Sequence, residues 1–95
     1  MSGYYILQID WNGDEARKRY IELLGDQIEK HHGEFIVASR DFRVVEGKWG
    51  RGLLVVIRFP TMEDLSAWYD SPEYRSAREF RLQNSHSDAV IAEGD

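Results

Sequence analysis

The chain has 95 residues, enough for one domain and too few for two, and its formal net charge is −5. The negative charge argues against a nucleic-acid partner, because phosphate groups are bound by concentrated positive surface. The absence of cysteine excludes disulfides, thiolate metal sites and cysteine nucleophiles. The chain shows no signal-peptide pattern and no apolar run long enough to span a bilayer, so we predict one cytoplasmic domain over residues 1–95 with no membrane partner.

The first half of the chain is predicted to form a strand, a helix and a second strand. Residues 4–11 alternate as a strand does, and residues 16–31 have a helical spacing of apolar positions that Gly25 interrupts. The second strand is predicted at 35–39, with 43–46 as its continuation beyond a bend.

The second half is predicted to supply the remaining elements of one α+β domain. In chain order these are a glycine-rich hairpin loop at 47–52, a strand at 53–59, a helix capped by Thr61, a helix from Pro72 to about Gln83, a polar turn at 84–88 and a strand at 89–93. Ser71 suits the N-cap of the later helix and Pro72 its first position.

The resulting β-α-β-β-α-β order predicts a ferredoxin-like fold, with a four-stranded antiparallel sheet and both helices on one face. The strands at 4–11, 35–39 and 53–59 carry apolar residues on both faces, whereas a sheet with one face in water alternates apolar with polar residues. Since the helices cover one face only, we predict a homodimer in which a second copy covers the open face.

The run Trp-Tyr-Asp-Ser-Pro-Glu-Tyr at 68–74, followed by Arg78 and Arg81, resembles the signature of the thirteen-thirty family of domains of unknown function. Further pieces agree along nearly the whole chain: Gly3-Tyr4-Tyr5, Tyr20, His31, Phe35, Glu46-Gly47, Phe59-Pro60 and 90–94. The resemblance implies a dimeric α/β barrel. That superfamily includes cofactor-independent monooxygenases, muconolactone isomerases, haem enzymes and ligand-sensing regulatory domains, so the fold alone implies little about function.

The chain departs from the family pattern after the second strand. Members commonly carry an arginine followed by glycines there, and this chain has Ala38-Ser39-Arg40. Arg40 is the residue that would supply the charge from a shifted position, and without it the anion contact that the resemblance implies has no counterpart at this place.

The best candidate site is a cluster at the start of the last predicted helix, formed by Tyr69, Ser71, Tyr74, Arg78 and Arg81. Ser71 opens the helix, where free N–H groups favour an anion. Tyr74, Arg78 and Arg81 share one helix face, so tyrosine and arginine donors would hold a carboxylate or an enolate there. In the structural alternative Ser71 only caps, the tyrosines only pack and the arginines pair with surface acids.

His31 is the best general acid–base candidate, because its ordinary pKa suits neutral pH. It also lies where a histidine simply caps a helix C-terminus, and haem ligation by it follows only from analogy with the superfamily. The histidines and carboxylates show no metal-ligand spacing, so we predict neither a metal nor a cofactor.

Glu46 and Trp49 flank the glycine-rich loop and would close over a pocket, as mobile loops do. The alternative is a plain hairpin tip, or a dimer contact through Trp49. We assign both residues, with the cluster above, to substrate binding.

Two functional hypotheses remain open from the sequence. In the first, a small dimer binds a small organic molecule, anionic or neutral, between sheet and helices and catalyses cofactor-independent isomerase-like or monooxygenase-like chemistry, with His31 and Tyr74 as catalytic residues. In the second, the protein is a non-catalytic dimeric module for ligand sensing or protein interaction. A closed pocket on which polar groups converge would favour the first hypothesis.

Overall fold

A computed structural model describes residues 1–50 and 52–94. Four strands form the sheet: β1 (Ser2–Trp11), β2 (Glu34–Ser39), β3 (Leu53–Phe59) and β4 (Ser85–Gly94). Four helical segments connect them: α1 (Asp14–Leu24), α2 (Gln27–Lys30), α3 (Met62–Tyr69) and α4 (Pro72–Gln83). None of the helices in these ranges is long and apolar enough to cross a membrane.

The sheet has the strand order β2-β3-β1-β4, and every neighbouring pair is antiparallel. The two long connections are helical, so the predicted ferredoxin-like βαββαβ arrangement is confirmed. Strand β1 lies in the middle of the sheet, where Tyr5 is paired with Ile57 on one side and Ile91 on the other. The β1 side chains that face the helices, such as Tyr5, Leu7 and Ile9, are therefore buried.

The hydrophobic core lies between the sheet and the helices. Tyr5 and Ile9 of β1, Phe59 of β3 and Trp68 of α3 are almost completely buried in it. Gly3 permits the close approach of α3, because a Cβ atom there would lie 2.9 Å from Met62 Sδ. Helix α3 thus packs directly on β1.

The opposite face of the sheet, called the open face below, carries apolar side chains at its centre. Ile6 is paired with Val56 across β1 and β3, and Tyr4 and Leu54 lie on the same face. All four are only partly buried in the single chain, because the helices pack on the other face. The predicted two-faced apolar character of these two strands is confirmed.

Strand β2 departs from the predicted alternation at a bulge. Phe35 is paired with Ile57, but Val37 is already paired with Val56, so Ile36 is the extra residue. Paired residues of an antiparallel sheet point to the same face, so Phe35 lies on the helix face and Val37 on the open face. An unbroken strand alternation at 35–39 would place Phe35 and Val37 on one face, and the bulge places them on opposite faces.

Two predicted segments also differ from the structure. The continuation predicted at 43–46 is wrong, since residues 40–50 contain no strand and Val44 and Val45 are exposed. The polar turn predicted at 84–88 is instead the first half of β4, where Ser85 is paired with Trp11. Polar residues are tolerated there because β4 is an edge strand with many side chains exposed to solvent.

The first predicted helix is divided at Gly25, which adopts a φ of 53° that favours glycine. The N–H of Gly25 donates a hydrogen bond to the carbonyl oxygen of Ile21 at the end of α1. Helix α2 follows as a single turn. The separate start of α4 is confirmed, with Pro72 as its first residue.

Candidate functional site

A cavity of about 440 Å³ lies between the helix face of the sheet and α1. Apolar side chains form most of its wall; they are Leu7, Ile9, Leu53, Val55 and Ile57 from the strands, and Ile21 and Leu24 from α1. Ala38 of β2 also lines it, brought to this face by the bulge at Ile36. The cavity therefore suits a molecule with a mainly apolar body.

The position of α1 explains why this space is left open. Helix α1 packs more extensively against α4 than against β1, whereas α3 packs closely on β1. A gap consequently remains over β3 and β2, and Gly25 at the end of α1 adds no side chain to fill it. The cavity is a product of helix placement, with small residues at its edge.

Three tyrosine hydroxyl groups meet at the inner side of the cavity. The hydroxyl oxygen of Tyr74 lies 2.9 Å from that of Tyr20 and 3.4 Å from that of Tyr5. Tyr5 and Tyr20 line the cavity, and Tyr74 lies behind them with no exposed surface. Burial, reinforced by the neighbouring phenols, raises the pKa of Tyr5 and of Tyr20 above the ordinary value. Both phenols are therefore neutral hydrogen-bond donors at neutral pH.

Arg81 supplies a buried positive charge behind the three phenols. It is 2% exposed, and its guanidinium donates to Ser87 Oγ at 2.5 Å. Burial alone would lower the pKa of Arg81, but Tyr5, Tyr74 and Tyr20 raise it overall, so the group stays charged. Within residues 1–50 and 52–94 no ion pair joins Arg81 to a carboxylate, and its Nε has no partner. A buried cation without a counterion favours negative charge nearby.

Tyr74 and Arg81 are thus the two predicted site residues that the fold brings next to the cavity. Tyr69 and Arg78 lie further out, with the Arg78 guanidinium 4.7 Å above the Tyr69 ring and donating to the Tyr69 carbonyl oxygen at 3.3 Å. Neither lines the cavity. The Tyr69 ring packs near the Tyr5 ring, with the two ring centroids 5.9 Å apart. A binding role for this outer pair stays a prediction.

Ser71 acts as the N-cap of α4. Its hydroxyl accepts from Tyr74 N at 3.2 Å and donates to the carbonyl oxygen of Trp68 at 2.7 Å. Because these backbone contacts use its proton and an acceptor position, the position of Ser71 matches the structural alternative. Its predicted role in substrate binding stays a prediction without support from the cavity lining.

His31 ends α2, with its Nδ1 2.9 Å from the carbonyl oxygen of Gln27. A carbonyl only accepts, so Nδ1 carries the proton in this contact. His31 does not line the cavity, and neither do Glu46 and Trp49, which lie in the loop at 40–50 with exposed side chains. Catalysis by His31 and ligand contact by the other two stay predictions, and the geometry favours capping for His31.

A smaller polar cleft of about 250 Å³ adjoins the cavity and shares Trp11 and Arg17 with it. Arg40 lines this cleft together with Asp10 and Asp14. The positive charge of Arg40, expected near the end of the second strand, thus lies in a cleft next to the cavity. Two carboxylates accompany it, however, and Arg17 pairs with Asp14 at 3.1 Å, so the cleft is not a simple anion site.

Tyr5 and Tyr20 were not among the residues predicted for the site, although both lie in the cavity wall. A usable signal was present, because each phenol lies within an otherwise apolar face of its element. A buried tyrosine hydroxyl needs a hydrogen-bond partner, and two such residues on elements that pack together predict a shared polar point.

The fold and the cavity define a ferredoxin-like α+β protein with a pocket between its sheet and its first helix. A family model described as "Domain of unknown function (DUF1330)" matches residues 2–95, and the chain belongs to this family. The predicted resemblance to the thirteen-thirty family is therefore confirmed. No curated protein matches the chain.

Solved structures support the fold. RPA0582 of Rhodopseudomonas palustris, a protein of unknown function, is 15% identical with a TM-score of 0.78, over 99% of this chain and 82% of its own. A dimeric ferredoxin-like protein of unknown function from Jannaschia sp. CCS1 is 17% identical with a TM-score of 0.67, over 99% of this chain and 100% of its own. A similarly described protein from Thermobifida fusca YX is 16% identical with a TM-score of 0.65, over 99% of this chain and 92% of its own.

Proposed function

We propose that this protein binds a small organic molecule in the cavity between its sheet and α1. The observation that carries the proposal is an apolar cavity of about 440 Å³ with the hydroxyl groups of Tyr5 and Tyr20 at its wall. Ligand sites of roughly 300–1,000 Å³ typically combine apolar walls with a few placed polar groups. The volume and the composition of this wall both fit that description.

The wall supports binding more strongly than proton abstraction. Among the described residues that line the cavity, the polar side chains are those of Tyr5, Tyr20, Arg17 and the Trp11 indole, with no carboxylate or imidazole. These groups donate hydrogen bonds and do not act as general bases at neutral pH. The cavity therefore binds a molecule with hydrogen-bond acceptors, to which these side chains donate hydrogen bonds.

Cofactor-independent isomerase-like or monooxygenase-like chemistry is the second candidate. The phenols and the charge of Arg81 favour it, because donors aimed at a developing enolate oxygen lower the barrier to forming that enolate. The reaction also needs a base, and the predicted base, His31, lies outside the cavity wall. A non-catalytic binding module accounts for all of the cavity features without such a base.

The proposed assembly is a homodimer through the open face. Its centre is apolar at Ile6, Val56, Tyr4 and Leu54, and the structurally similar proteins from Jannaschia and Thermobifida are described as dimeric. A second copy would remove this apolar surface from water. Cytoplasmic localisation remains part of the same proposal, from the composition alone.

The binding proposal is tested by native mass spectrometry of protein purified without denaturation. We expect a bound organic mass on the wild type, its loss in Ala38→Trp, which fills the cavity, and its retention in Ala67→Trp. Ala67 is a matched control because it is exposed on α3 and does not line the cavity. Wild type without an adduct, or Ala38→Trp with one, would contradict the proposal.

A further inference from the structure

The three buried phenols hold more hydroxyl protons than their mutual contacts use. Tyr5, Tyr20 and Tyr74 each carry one hydroxyl proton, and only two oxygen–oxygen contacts join them. Each contact holds one proton at most. The described part of the chain shows no other hydrogen bond from these hydroxyls to an acceptor. One proton of the three therefore has no acceptor among residues 1–50 and 52–94.

Arg81 favours one direction of donation among the three phenols. A guanidinium only donates, and Arg81 lies near enough to Tyr74 to interact with it, so any contact between the two is accepted by the Tyr74 oxygen and leaves the Tyr74 proton to Tyr20 or Tyr5. The contact from Tyr74 to Tyr20 is the shorter one, at 2.9 Å against 3.4 Å for Tyr5. Either hydroxyl of each pair can be the donor, and donation from Tyr74 to Tyr20 is the arrangement that suits both the shorter contact and a donor at Arg81.

In this arrangement the Tyr20 proton is the free one. Tyr20 accepts from Tyr74, lines the cavity and is 8% exposed, so its own proton is available to a molecule in the cavity. Donation along a chain of hydrogen bonds strengthens the last donor, and a cation at the start of the chain adds to this effect. The Tyr20 hydroxyl is thus a polarised donor in an otherwise apolar wall.

We propose that the ligand bears an anionic or strongly accepting oxygen, such as a carboxylate or an enolate, and that Tyr20 binds this oxygen directly. Tyr74 and Arg81 are then positioning residues, which act on the ligand through Tyr20. This inference rests on the proposed function, since it names the ligand class of the same cavity. The residue in direct contact with the ligand is then Tyr20 of α1, whereas the sequence pointed to Tyr74 and Arg81 of α4.

The test compares two molecules of nearly equal shape, 2-naphthoate and 2-methylnaphthalene, by NMR titration of the whole protein. We expect wild type to bind 2-naphthoate roughly tenfold more tightly, the effect of one charge-assisted hydrogen bond. Tyr20→Phe is expected to lose about that tenfold preference while its affinity for 2-methylnaphthalene stays unchanged. Tyr5→Phe tests the other hydroxyl of the cavity wall, and this variant keeps the preference if Tyr20 is the residue that binds the carboxylate.

Tyr74→Phe tests the positioning role, because it removes the donor to Tyr20 and leaves the Tyr20 hydroxyl in place. We expect a smaller loss, about threefold, for 2-naphthoate and none for 2-methylnaphthalene, which a general loosening of the fold would not produce.

Equal binding of both molecules with no effect of Tyr20→Phe would overturn the inference and leave the binding proposal intact. Loss of preference in Tyr5→Phe instead would overturn the assignment to Tyr20. Failure of both molecules to bind would count against the cavity as a binding site, and hence against both proposals.

Discussion

The hydroxyl groups of Tyr20 and Tyr74 lie 2.9 Å apart and join α1 to α4 across 54 positions of the chain. This contact connects α1, which lines one side of the cavity, with α4, which carries Arg81. One polar contact inside an apolar core therefore contributes both to the placement of α1 and to the chemistry of the cavity wall.

Tyr74→Phe is expected to lower the free energy of unfolding by about 1–2 kcal/mol, because it leaves the buried Tyr20 and Tyr5 hydroxyls without their partner. Urea denaturation measures the change. Tyr69→Phe is the control, since no hydrogen bond of its hydroxyl occurs in the described residues, and it should change stability little. Equal losses in the two variants would show that the contact between Tyr20 and Tyr74 is not specifically stabilising.

Gly33→Ala is expected to destabilise the fold by about 1–3 kcal/mol through overpacking. A Cβ atom at Gly33 would lie 2.6 Å from Phe59 Cε2 and 2.8 Å from Ile28 Cγ2. Gly50→Ala is the matched control, because nothing lies within 4 Å of its Cβ position. Thermal denaturation followed by circular dichroism should show a lower midpoint for the first variant alone.

Ser71→Ala is expected to cost about 1 kcal/mol of stability, the usual effect of losing an N-cap, without altering the binding of 2-naphthoate. Chemical denaturation and NMR titration measure the two effects separately. Ser76→Ala, at an exposed position within α4, is the control. A marked loss of naphthoate affinity at unchanged stability would instead support the predicted binding role of Ser71.

Val56→Asp is expected to convert the proposed dimer into a monomer of 11.1 kDa, because it places a charge at the centre of the open face. Sedimentation velocity at micromolar concentration distinguishes the two states. Leu82→Asp is the control, since Leu82 is an exposed residue of α4 and should leave the assembly unchanged. A wild-type monomer would contradict the proposed dimer.

Stability is expected to fall at alkaline pH. Burial, with the help of neighbouring phenols, raises the pKa of Tyr5 and Tyr20 above the ordinary 10.0, so the folded protein holds these protons more tightly than the unfolded chain. Their contribution is fully present below pH 10.0 and is lost as the pH rises above it. Urea midpoints measured from neutral pH to above that value should fall less steeply in Tyr20→Phe than in wild type, and equal slopes would contradict the assignment.

The sequence was sufficient to predict the order of the elements, the two-faced strands and the start of α4. These features depend on local spacing, such as Ser71-Pro72 or the alternation along β1 and β3. It also pointed to Tyr74 and Arg81, which share a helix face. Local spacing does not show which distant residues that face meets, so the roles of Tyr5 and Tyr20 became evident only in three dimensions.

The same limit explains the wrong prediction at β2. Nothing in the apolar run at 35–39 marks Ile36 as the extra residue, because a bulge depends on pairing with β3, about twenty positions away. For His31, a cap and a base require the same residue type at the same place. Only the surroundings of the side chain distinguish the two roles. His31 contacts the backbone carbonyl oxygen of Gln27 and does not line the cavity.

The bulge at Ile36 also ties two properties of the molecule to one backbone position. Regular pairing would turn Val37 toward α1 and Ala38 toward the open face, whereas the extra residue exchanges them. The cavity then gains the smaller side chain and the open face gains the larger apolar one. Insertion or deletion of a single residue in β2 would therefore change pocket capacity and self-association together, so that evolution along this strand would alter both at once.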